Sequence, residues 1–284
     1  MKLSACVIAQ NEERVIERCL ASLSFADEII VVDGGSTDRT VAIAAGHPRT
    51  RVVAQAFAGF TAQRNRALGE AKGHWVFFLD ADEEASPELA ERLKAIAAED
   101  PGKHPHCYSI RREEYFLGRH LTAGPGNPSH QWRFFKRENV RFEGGVHEYP
   151  RFEGPVGLIE APIHHWPGLG IDKFIAKMNH YTSLEALDRF SQGQRTTLTH
   201  AVLTFFSTFL KNGIRYGGFY NGREGFILVL LESISRVVRH LKLWLLWQVH
   251  DGGIKMDLGM KLPQPGSRKA PAAAELDKPT WEKQ

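Results

Sequence analysis

Two aspartates at the end of an apolar run are the residues best suited to chemistry. Asp80 and Asp82 stand one residue apart, directly after the apolar residues 75–79. A hard divalent cation such as Mg²⁺ or Mn²⁺ prefers oxygen ligands, and it typically takes one or two carboxylates together with the oxygens of a bound phosphate. The pair therefore predicts a metal site, with a solvated turn after a strand as the alternative.

Polar residues also follow the first two apolar runs of the chain. Asn11 and Glu12 come after the first run, and Asp33 comes after the second, with Gly35 close behind it. Glycine allows a backbone to approach a ligand closely, although a Gly-Gly pair after a strand is usually only a turn. Neither a G-x-G-x-x-G loop nor a G-x-x-x-x-G-K-[ST] loop occurs, so dinucleotide-binding and P-loop folds lack their phosphate-binding segments here.

The segments that must position these residues alternate between strand-like and helix-like patterns. The predicted strands are residues 3–9, 29–32, 51–54 and 75–79. Asn11 is expected to cap the helix after the first strand, and Ser86 with Pro87 to begin the helix after the fourth. Repeated strand–helix units imply a parallel sheet, and ligands of such sheets bind beyond the carboxyl ends of the strands. The sequence therefore predicts an α/β fold with its site at that edge.

Four motifs in a fixed order extend this interpretation. They are residues 6–13, 30–38, 63–65 and 78–83, and together they resemble the family-two glycosyltransferases. The resemblance covers about residues 1–167. It implies the GT-A fold, a Rossmann-like nucleotide-sugar domain with a mixed, largely parallel sheet.

The resemblance also implies where the sugar donor binds. The nucleoside pocket would be lined by Asn11, Glu12 and Asp33, with Gly35 beside them. The ribose and the diphosphate would lie near Gln63, Arg64 and Asn65. Asp82 would ligate the metal ion that bridges the diphosphate oxygens, and Asp80 would lie nearer the ribose or a metal-bound water. Breaking a sugar–diphosphate bond places negative charge on the leaving group, which a metal ion neutralises.

A second part of the resemblance, residues 133–136 and 144–148, contains the candidate general base. Glu148 would take the proton of the acceptor hydroxyl as that oxygen attacks the anomeric carbon. Attack from the opposite face inverts the configuration, so an α-linked donor gives a β-linked product. Many members of the family have a Glu-Asp pair here, whereas this chain has His147 and Glu148. The base therefore stays open between Glu148 and another carboxylate, and the pair could instead form an ion pair at a strand end.

Histidine and arginine residues offer further contacts. His165 is predicted as a third metal ligand or a diphosphate contact. The alternative is a packing role, because His164 and His165 precede Trp166 and a histidine beside an aromatic residue is more often a packing residue. Three arginines would meet an anionic acceptor or the donor phosphates, or lie solvated at the surface: Arg111, Arg112 and Arg119.

Composition excludes several classes of protein. The net charge of +3, from 36 Lys+Arg against 33 Asp+Glu, is too small to indicate a nucleic-acid-binding protein. Three cysteines without a C-x-x-C pair argue against a disulfide framework or a cysteine-rich zinc site. The N-terminal apolar run is too short for a secretory signal, so a cytoplasmic protein is predicted.

The C-terminal region, residues 168–258, is predicted to be helical and to lie on a membrane surface, and residues 259–284 are predicted to form a disordered tail. Between residues 198 and 245 the six basic residues are interspersed with Phe, Leu and Trp; they are Lys211, Arg215, Arg223, Arg236, Arg239 and Lys242. Its apolar runs are shorter than the ~20 residues that span a bilayer, so the pattern favours an anchor lying on anionic lipid. A helical cap or a dimer interface is the alternative.

These features together predict a metal-dependent inverting glycosyltransferase with its catalytic domain in residues 1–167. The chain resembles in particular the small bacterial enzymes that add β-linked glucose to an inner-core heptose of lipopolysaccharide. That resemblance implies a UDP-sugar donor, a lipid-linked or oligosaccharide acceptor, and a peripheral location on the inner face of the cytoplasmic membrane. One alternative is a nucleotidyltransferase, which would need a glycine-rich basic loop where this chain has Asn11 and Glu12. The other is a non-catalytic nucleotide-sugar-binding protein at the membrane, which the presence of Asp80, Asp82 and Glu148 disfavours.

Overall fold

The computed structural model describes residues 2–124, 129–144, 148–167, 170–257 and 262–266, except for the side chain of Lys173. The chain divides into two compact units. The first comprises Met1–His120 and Gly126–Gly168, and the second comprises Leu121–Pro125 and Leu169–Gln284. Most of the predicted tail, 259–284, lies outside the described residues.

A mixed sheet forms the first unit. Its strands are β1 (Leu3–Ala9), β2 (Glu28–Asp33), β3 (Thr50–Ala54), β4 (Trp75–Asp80), β5 (Glu83–Ala85), β6 (Cys107–Phe116), β7 (Arg119–Leu121), β8 (Ser129–Lys136) and β11 (Val156–His165). Two further strands, β9 (Val140–Glu143) and β10 (Tyr149–Phe152), form a separate antiparallel ribbon. Across the described residues the order is β3-β2-β1-β4-β8-β6-β11-β5, with β7 paired to β6. The pairs among β3, β2, β1 and β4 are parallel.

Helices cover both faces of the parallel strands. The helices of this unit are α1 (Ile16–Ser22), α2 (Thr40–Gly46), α3 (Phe60–Glu70) and α4 (Pro87–Ala98). On one face Val7 and Phe77 pack in a cluster with Leu20 of α1 and Leu93 of α4. On the other face Phe78 packs in a cluster with residues of α3. Burial on both faces is why these strands read as nearly uninterrupted apolar runs, and it confirms the predicted α/β fold.

Of the two predicted helix starts, the structure confirms one and contradicts the other. The side chain of Ser86 accepts the backbone N–H of Leu89 at 3.1 Å, so α4 begins where the sequence predicts. The prediction that Asn11 caps the first helix is wrong, because α1 begins at Ile16. Asn11 instead has a φ of 57°, and its side-chain oxygen accepts the backbone N–H of Thr37 at 2.8 Å. Asn11 therefore ties together the loops that follow β1 and β2.

Strands from the middle of the chain make the sheet mixed. β8 is antiparallel to both β4 and β6, and β11 is parallel to β6. β5, which the sequence analysis did not predict, is antiparallel to β11, and its Glu84 lies opposite His164. This short strand follows Asp82 directly and brings Glu83 into the sheet beside the candidate site.

The second unit is helical. It contains α5 (Ile171–Ser191), α6 (Leu198–Leu210) and α7 (Gly222–His250), with a π-helical turn at Lys211–Arg215 and a 3-10 turn at Gly218–Asn221. Phe190 of α5 packs with Leu243 and Trp247 of α7 in the core of this unit. Among the residues that the structure describes, no helix has the length and apolarity needed to cross a membrane.

Two basic residues expected on a membrane surface lie instead between α5 and α7. Arg239 is 7% exposed and donates to Glu185 at 2.6 Å. The ammonium group of Lys242 donates to the backbone oxygen of Asn179 at 2.7 Å and to the hydroxyl of Thr182 at 2.9 Å. Both side chains join helices within the unit, so the expectation that they face lipid is wrong.

Candidate active site

Three strand ends meet at one edge of the parallel sheet. Asp33 ends β2 and Asp80 ends β4, and the two strands flank β1, in which Ala9 is level with Asp33 and Ile8 with Asp80. The loops that follow these strands leave the sheet at the same edge, which is where ligands of such sheets bind. The sequence prediction that these strand-end residues gather at one edge is confirmed.

Asp80 is held between two arginines. One carboxylate oxygen accepts from Nη2 of Arg64 at 2.9 Å, and the other accepts from Nη2 of Arg133 at 2.6 Å. Burial alone would raise the pKa of Asp80, but the guanidinium groups of Arg133 and Arg64 outweigh it and hold that pKa well below its usual range. Asp80 is therefore a carboxylate at any physiological pH.

Arg64 connects Asp80 to the candidate base. Its Nε atom donates to a carboxylate oxygen of Glu148 at 3.1 Å, while its Nη2 atom binds Asp80. The guanidinium group also lies over the rings of Phe78 and Phe142, at 5.8 and 5.6 Å from their centroids. Arg64 itself is 6% exposed, so the rings and carboxylates fix its orientation. His147, the predicted partner of Glu148 in the alternative ion pair, lies outside the described residues.

A buried glutamate that the sequence analysis did not select supports this cluster. The side chain of Glu83 is fully buried, and one of its oxygens accepts from Arg133 at 2.9 Å and from Arg112 at 3.1 Å. Its other oxygen accepts the backbone N–H of Asp80 at 3.0 Å. Glu83 follows Asp82 in a run of acidic residues, and such a run gives no sign that one member is buried.

A cavity of about 250 Å³ opens beside these groups. Its polar lining includes Asp80, Glu148 and the arginines that hold them, and aromatic rings complete it. The lining residues are Arg64, Phe78, Asp80, Arg112, Gln131, Trp132, Arg133, Phe142, Glu148 and Pro150. The cavity therefore offers two carboxylates and three guanidinium groups to a polar ligand.

Asp82 and His165 form a second cluster at the same edge. Nε2 of His165 lies 3.3 Å from a carboxylate oxygen of Asp82, and its Nδ1 lies 2.5 Å from Glu114. Burial lowers the pKa of His165, but the hydrogen bonds to Asp82 and Glu114 outweigh it and raise the pKa to about 9. In the absence of a metal ion the imidazole is thus a cation that bridges two carboxylates, and a metal ion bound at Nε2 would have to displace the proton there.

The second cluster supplies two groups of the kind that bind a divalent cation, the carboxylate of Asp82 and a ring nitrogen of His165. A histidine that binds a metal through one ring nitrogen usually donates from the other to a carboxylate, which is the relation of His165 to Glu114. Asp82 supplies a carboxylate next to the ring nitrogen that would bind. Asp80 has both oxygens bound to arginines instead. Within the described ranges, no group of three or more His, Cys, Asp or Glu residues is arranged to hold a metal ion.

The predicted nucleoside residues build the loops at this edge. Asp33 accepts from the backbone N–H of Gly35 at 3.0 Å and from that of Ser36 at 3.1 Å, which bends the chain sharply. Gly35 has a φ of +95°, a conformation that a residue with a side chain rarely adopts. The backbone N–H of Glu12 donates to the hydroxyl of Thr40 at 2.8 Å. These contacts fix the shape of the loops that close the edge of the sheet.

The Gln63–Arg64–Asn65 segment divides into one residue that enters the cavity and two that hold it in place. Asn65 donates to the backbone oxygen of Phe142 at 2.8 Å and accepts from its N–H at 2.9 Å, so it fastens α3 to β9. The side-chain nitrogen of Gln63 donates to the backbone oxygen of Gln55 at 3.0 Å. Arg64 lines the cavity, whereas the amide groups of its neighbours are used inside the fold.

The remaining candidates lie apart from the cavity or at its edge. Of the three arginines expected to meet phosphate or an anionic acceptor, Arg112 lines the cavity, while Arg111 pairs with Glu113 at 3.0 Å and Arg119 is exposed on β7. Trp166 stacks on Tyr115 with ring centroids 3.7 Å apart, as expected of a packing residue.

Comparison with known proteins agrees with the resemblance inferred from the four motifs. The model of the family "Glycosyl transferase family 2" matches residues 4–152. The lipopolysaccharide core biosynthesis glycosyltransferase LpsC of Rhizobium meliloti (strain 1021) is 30% identical over 256 residues, which cover 84% of this chain and 93% of LpsC. An uncharacterized glycosyltransferase of Rickettsia bellii (strain RML369-C) is 29% identical over 261 residues, which cover 85% of this chain and 86% of that protein.

A crystal structure of S. aureus TarS aligns with 93% of this chain and 97% of its own, at 17% identity and a TM-score of 0.44. The family match covers more than half of the chain and includes the strand ends, Arg64, Asp80, Asp82 and Glu148. The chain belongs to glycosyl transferase family 2.

Proposed function

We propose that this chain is a metal-dependent inverting glycosyltransferase that moves a sugar from a nucleotide-sugar donor to a glycan or lipid-linked acceptor. The observation that carries the proposal is the pair of carboxylates, Asp80 and Glu148, held by the single guanidinium group of Arg64 at one cavity. Transfer of a sugar needs a cationic site for the leaving diphosphate and a carboxylate for the acceptor proton, and this cavity offers both.

The donor side of the site is formed by groups that neutralise or orient a nucleoside diphosphate. Arg64 and Arg133 contribute positive charge to the cavity, and each already binds a carboxylate that a phosphate oxygen could replace. The loops carrying Asn11, Glu12 and Asp33, with Gly35, lie at the same sheet edge and are proposed to receive the nucleoside. A UDP-sugar is the proposed donor.

The acceptor side is assigned to Glu148. An acceptor hydroxyl oxygen attacks the anomeric carbon, its proton passes to the carboxylate of Glu148, and the bond from that carbon to the diphosphate oxygen breaks. The nucleoside diphosphate leaves with the bonding electron pair. Because the attack comes from the face opposite the leaving group, an α-linked donor yields a β-linked product. Glu148 lines the cavity, which supports this role.

A divalent metal ion, Mg²⁺ or Mn²⁺, is proposed to bind Asp82 and His165, with Asp80 close to the same diphosphate. Such an ion neutralises the charge that develops on the leaving diphosphate. Glu114 holds the imidazole of His165 by its Nδ1 atom, and the backbone N–H of Trp166 donates to the backbone oxygen of Asp82 at 2.8 Å. These contacts orient the two donor groups relative to each other.

The acceptor is proposed to be lipid-linked, such as the inner core of lipopolysaccharide, with glucose as the transferred sugar. The similarity to LpsC, a protein named for lipopolysaccharide core biosynthesis, supports this class of acceptor. An enzyme acting on such an acceptor works at the inner face of the cytoplasmic membrane, so a peripheral location is proposed there. Residues 1–167 are proposed as the catalytic domain and residues 168–258 as the region that meets the membrane.

Calorimetric titration with UDP, with and without Mn²⁺, tests the assignment of the donor site. We expect the wild-type protein to bind UDP more tightly with Mn²⁺, and Asp82→Asn to lose that gain because it removes the anionic ligand. Asp80→Asn should lose less. Asp100→Asn, an exposed aspartate after α4, is the control and should behave as the wild type. If Asp82→Asn keeps the full gain from Mn²⁺, the metal assignment is wrong.

A further inference from the structure

α6 exposes an apolar stripe that none of the described residues of its own unit covers. Leu198, Val202, Phe206 and Leu210 recur every four residues on one side, and Leu203 lies beside them. Phe206 is 57% exposed and Leu203 is 62% exposed. At about 100° per residue, these five side chains fall within roughly 140° of the helix surface. Isolated exposed apolar residues are ordinary, but a continuous stripe marks a surface with a partner.

The side of α6 next to the Leu198 edge of the stripe already has its packing partners. Phe209, at that edge, packs against Phe219 of the 3-10 turn and Phe226 of α7, with ring centroids 5.3 and 5.9 Å apart. Ala201, about 80° further around the helix from Phe209 and far from Leu203, is 1% exposed. Since one side holds the helix in its unit, the apolar stripe is not needed for packing within that unit.

The segment that carries the stripe has positive charge and no negative charge. Between Asp188 and Glu224 the sequence contains no acidic residue. Lys211 follows Leu210 directly, Arg215 follows Ile214, and Arg223 is the second residue of α7; all three are exposed. None of them has a carboxylate partner among the ion pairs of the described residues. The C-terminal end of the stripe is therefore a cluster of cations with no ion-pair partner within the part of the chain that the structure describes.

Aromatic residues lie in the same cluster. Tyr216 and Tyr220 are both exposed, and the ammonium group of Lys211 lies 5.4 Å from the ring centroid of Tyr216. Tyrosine and basic residues next to an apolar helix face are typical of helices at the boundary between lipid headgroups and acyl chains. A helix of this length is about 20 Å long, which is too short to cross the ~30 Å apolar layer but suits one that lies along it.

The charge pattern favours lipid over a second copy of this chain. A twofold dimer would place residues 198–216 on both sides, and this segment contains no carboxylate that could pair with Lys211 or Arg215. An anionic headgroup layer supplies the missing negative charge while the acyl chains take up the apolar stripe.

We propose that α6 and the turn after it, residues 198–216, together with Arg223, form a docking surface for a bilayer containing anionic lipid. This rests on the peripheral location included in the proposed function, and it assigns the contact to α6 and the residues that follow it rather than to Arg236, Arg239 and Lys242 further along α7. The stripe enters the headgroup boundary, and Lys211, Arg215 and Arg223 pair with lipid phosphates.

Vesicle sedimentation of the full chain tests this surface. The vesicles are phosphatidylcholine alone, or phosphatidylcholine mixed with phosphatidylglycerol. We expect binding to the mixed vesicles only, weakened by salt, and at least about fivefold weaker binding for Arg215→Glu, since each base near an anionic surface contributes about that factor. Phe206→Asp should lower binding as well. Arg236→Glu, a matched exposed arginine on α7, should leave binding within twofold of wild type.

Other outcomes overturn the proposal. Equal binding to both vesicle types, binding to neither, or an equal loss in Arg236→Glu and Arg215→Glu would each exclude this surface as the lipid site. A dimer in light scattering that Phe206→Asp dissociates would assign the stripe to a second copy. Release of nucleoside diphosphate from a soluble donor, measured in the same samples, should be unchanged in Arg215→Glu. If the wild-type protein releases no nucleoside diphosphate, the proposed function is contradicted but the docking surface is not.

Discussion

Arg64 determines how the two carboxylates of the cavity are arranged. Its guanidinium group binds Asp80 through one nitrogen and Glu148 through another, and a planar, charged group of this kind restricts both partners. The sequence motifs identified each of the three residues as a candidate for the site. They could not predict that one arginine joins the other two, because that pairing exists only once α3, β4 and the segment before β10 are brought together.

Replacement of Glu148 tests its role as the base. Glu148→Gln keeps the shape of the side chain and an oxygen that can accept from Arg64, but it cannot take up a proton at neutral pH. We therefore expect kcat to fall by roughly 10²–10⁴-fold, with the affinity for UDP nearly unchanged. Steady-state kinetics and calorimetry measure the two quantities.

The control for this variant is Glu138→Gln, an exposed glutamate between β8 and β9, which should retain wild-type kcat. A loss of UDP affinity in Glu148→Gln as large as the loss of kcat would show that Glu148 binds the donor and that another group is the base.

Replacement of Arg133 tests the buried part of the same network. Arg133→Ala leaves the fully buried carboxylate of Glu83 with Arg112 as its remaining cation and removes one partner of Asp80. Leaving a buried charge short of its partner typically costs about 3–5 kcal/mol, so we expect the free energy of unfolding in urea to fall by about that amount. Arg111→Ala, which removes a partly exposed pair with Glu113, should cost no more than about 1 kcal/mol. Equal costs for the two variants would contradict the buried network.

At the scale of elements, the strands and helices that could be predicted are those whose signals lie within their own sequence. The parallel strands could be predicted because both of their faces are buried, and α4 could be predicted because Ser86 and Pro87 begin it. α6 lies within residues 168–258, which the sequence predicts to be helical. The short strands β5, β7 and β10 could not be predicted, since strands of three or four residues depend on partners distant in the chain. Glu83 was missed for the same reason, because its burial follows from the pairing of β5 with β11.

The packing of the helical unit predicts a dependence of its stability on pH. His240 of α7 is 5% exposed, and its Nδ1 atom lies 3.0 Å from the hydroxyl of Thr196. Burial, together with the charges of Arg239, His200, Arg189 and Arg236, lowers the pKa of His240 to about 4. An unfolded histidine has a pKa of about 6.5, so below that pH the unfolded state binds a proton that the folded state does not. The stabilising contribution is therefore complete above about pH 6.5 and is lost as the pH falls toward 4.

We expect the free energy of unfolding to drop between pH 7 and pH 4.5 by about 1–3 kcal/mol more in the wild type than in His240→Gln. Urea unfolding followed by circular dichroism of the helices measures this difference. An equal drop in both proteins would show that His240 does not titrate differently in the folded and unfolded states.

At the scale of the whole molecule, the proposed catalytic residues and the proposed lipid contact lie in different units. Arg64, Asp80, Asp82, Glu148 and His165 belong to the first unit. The apolar stripe of α6 belongs to the second. Variants of one unit should therefore leave the function of the other intact when the substrate is soluble, which makes the two proposals separable in experiments on the full chain.

Release of nucleoside diphosphate from a panel of nucleotide sugars, with and without Mg²⁺ or Mn²⁺, tests the central claim most directly. The purified protein should release nucleoside diphosphate from one donor of the panel, slowly in the absence of acceptor, and only when a divalent cation is present. Asp82→Asn should reduce this release to background, because the charge on the leaving diphosphate is then not neutralised. Release from no donor of the panel, or equal release by the wild type and Asp82→Asn, would contradict the account.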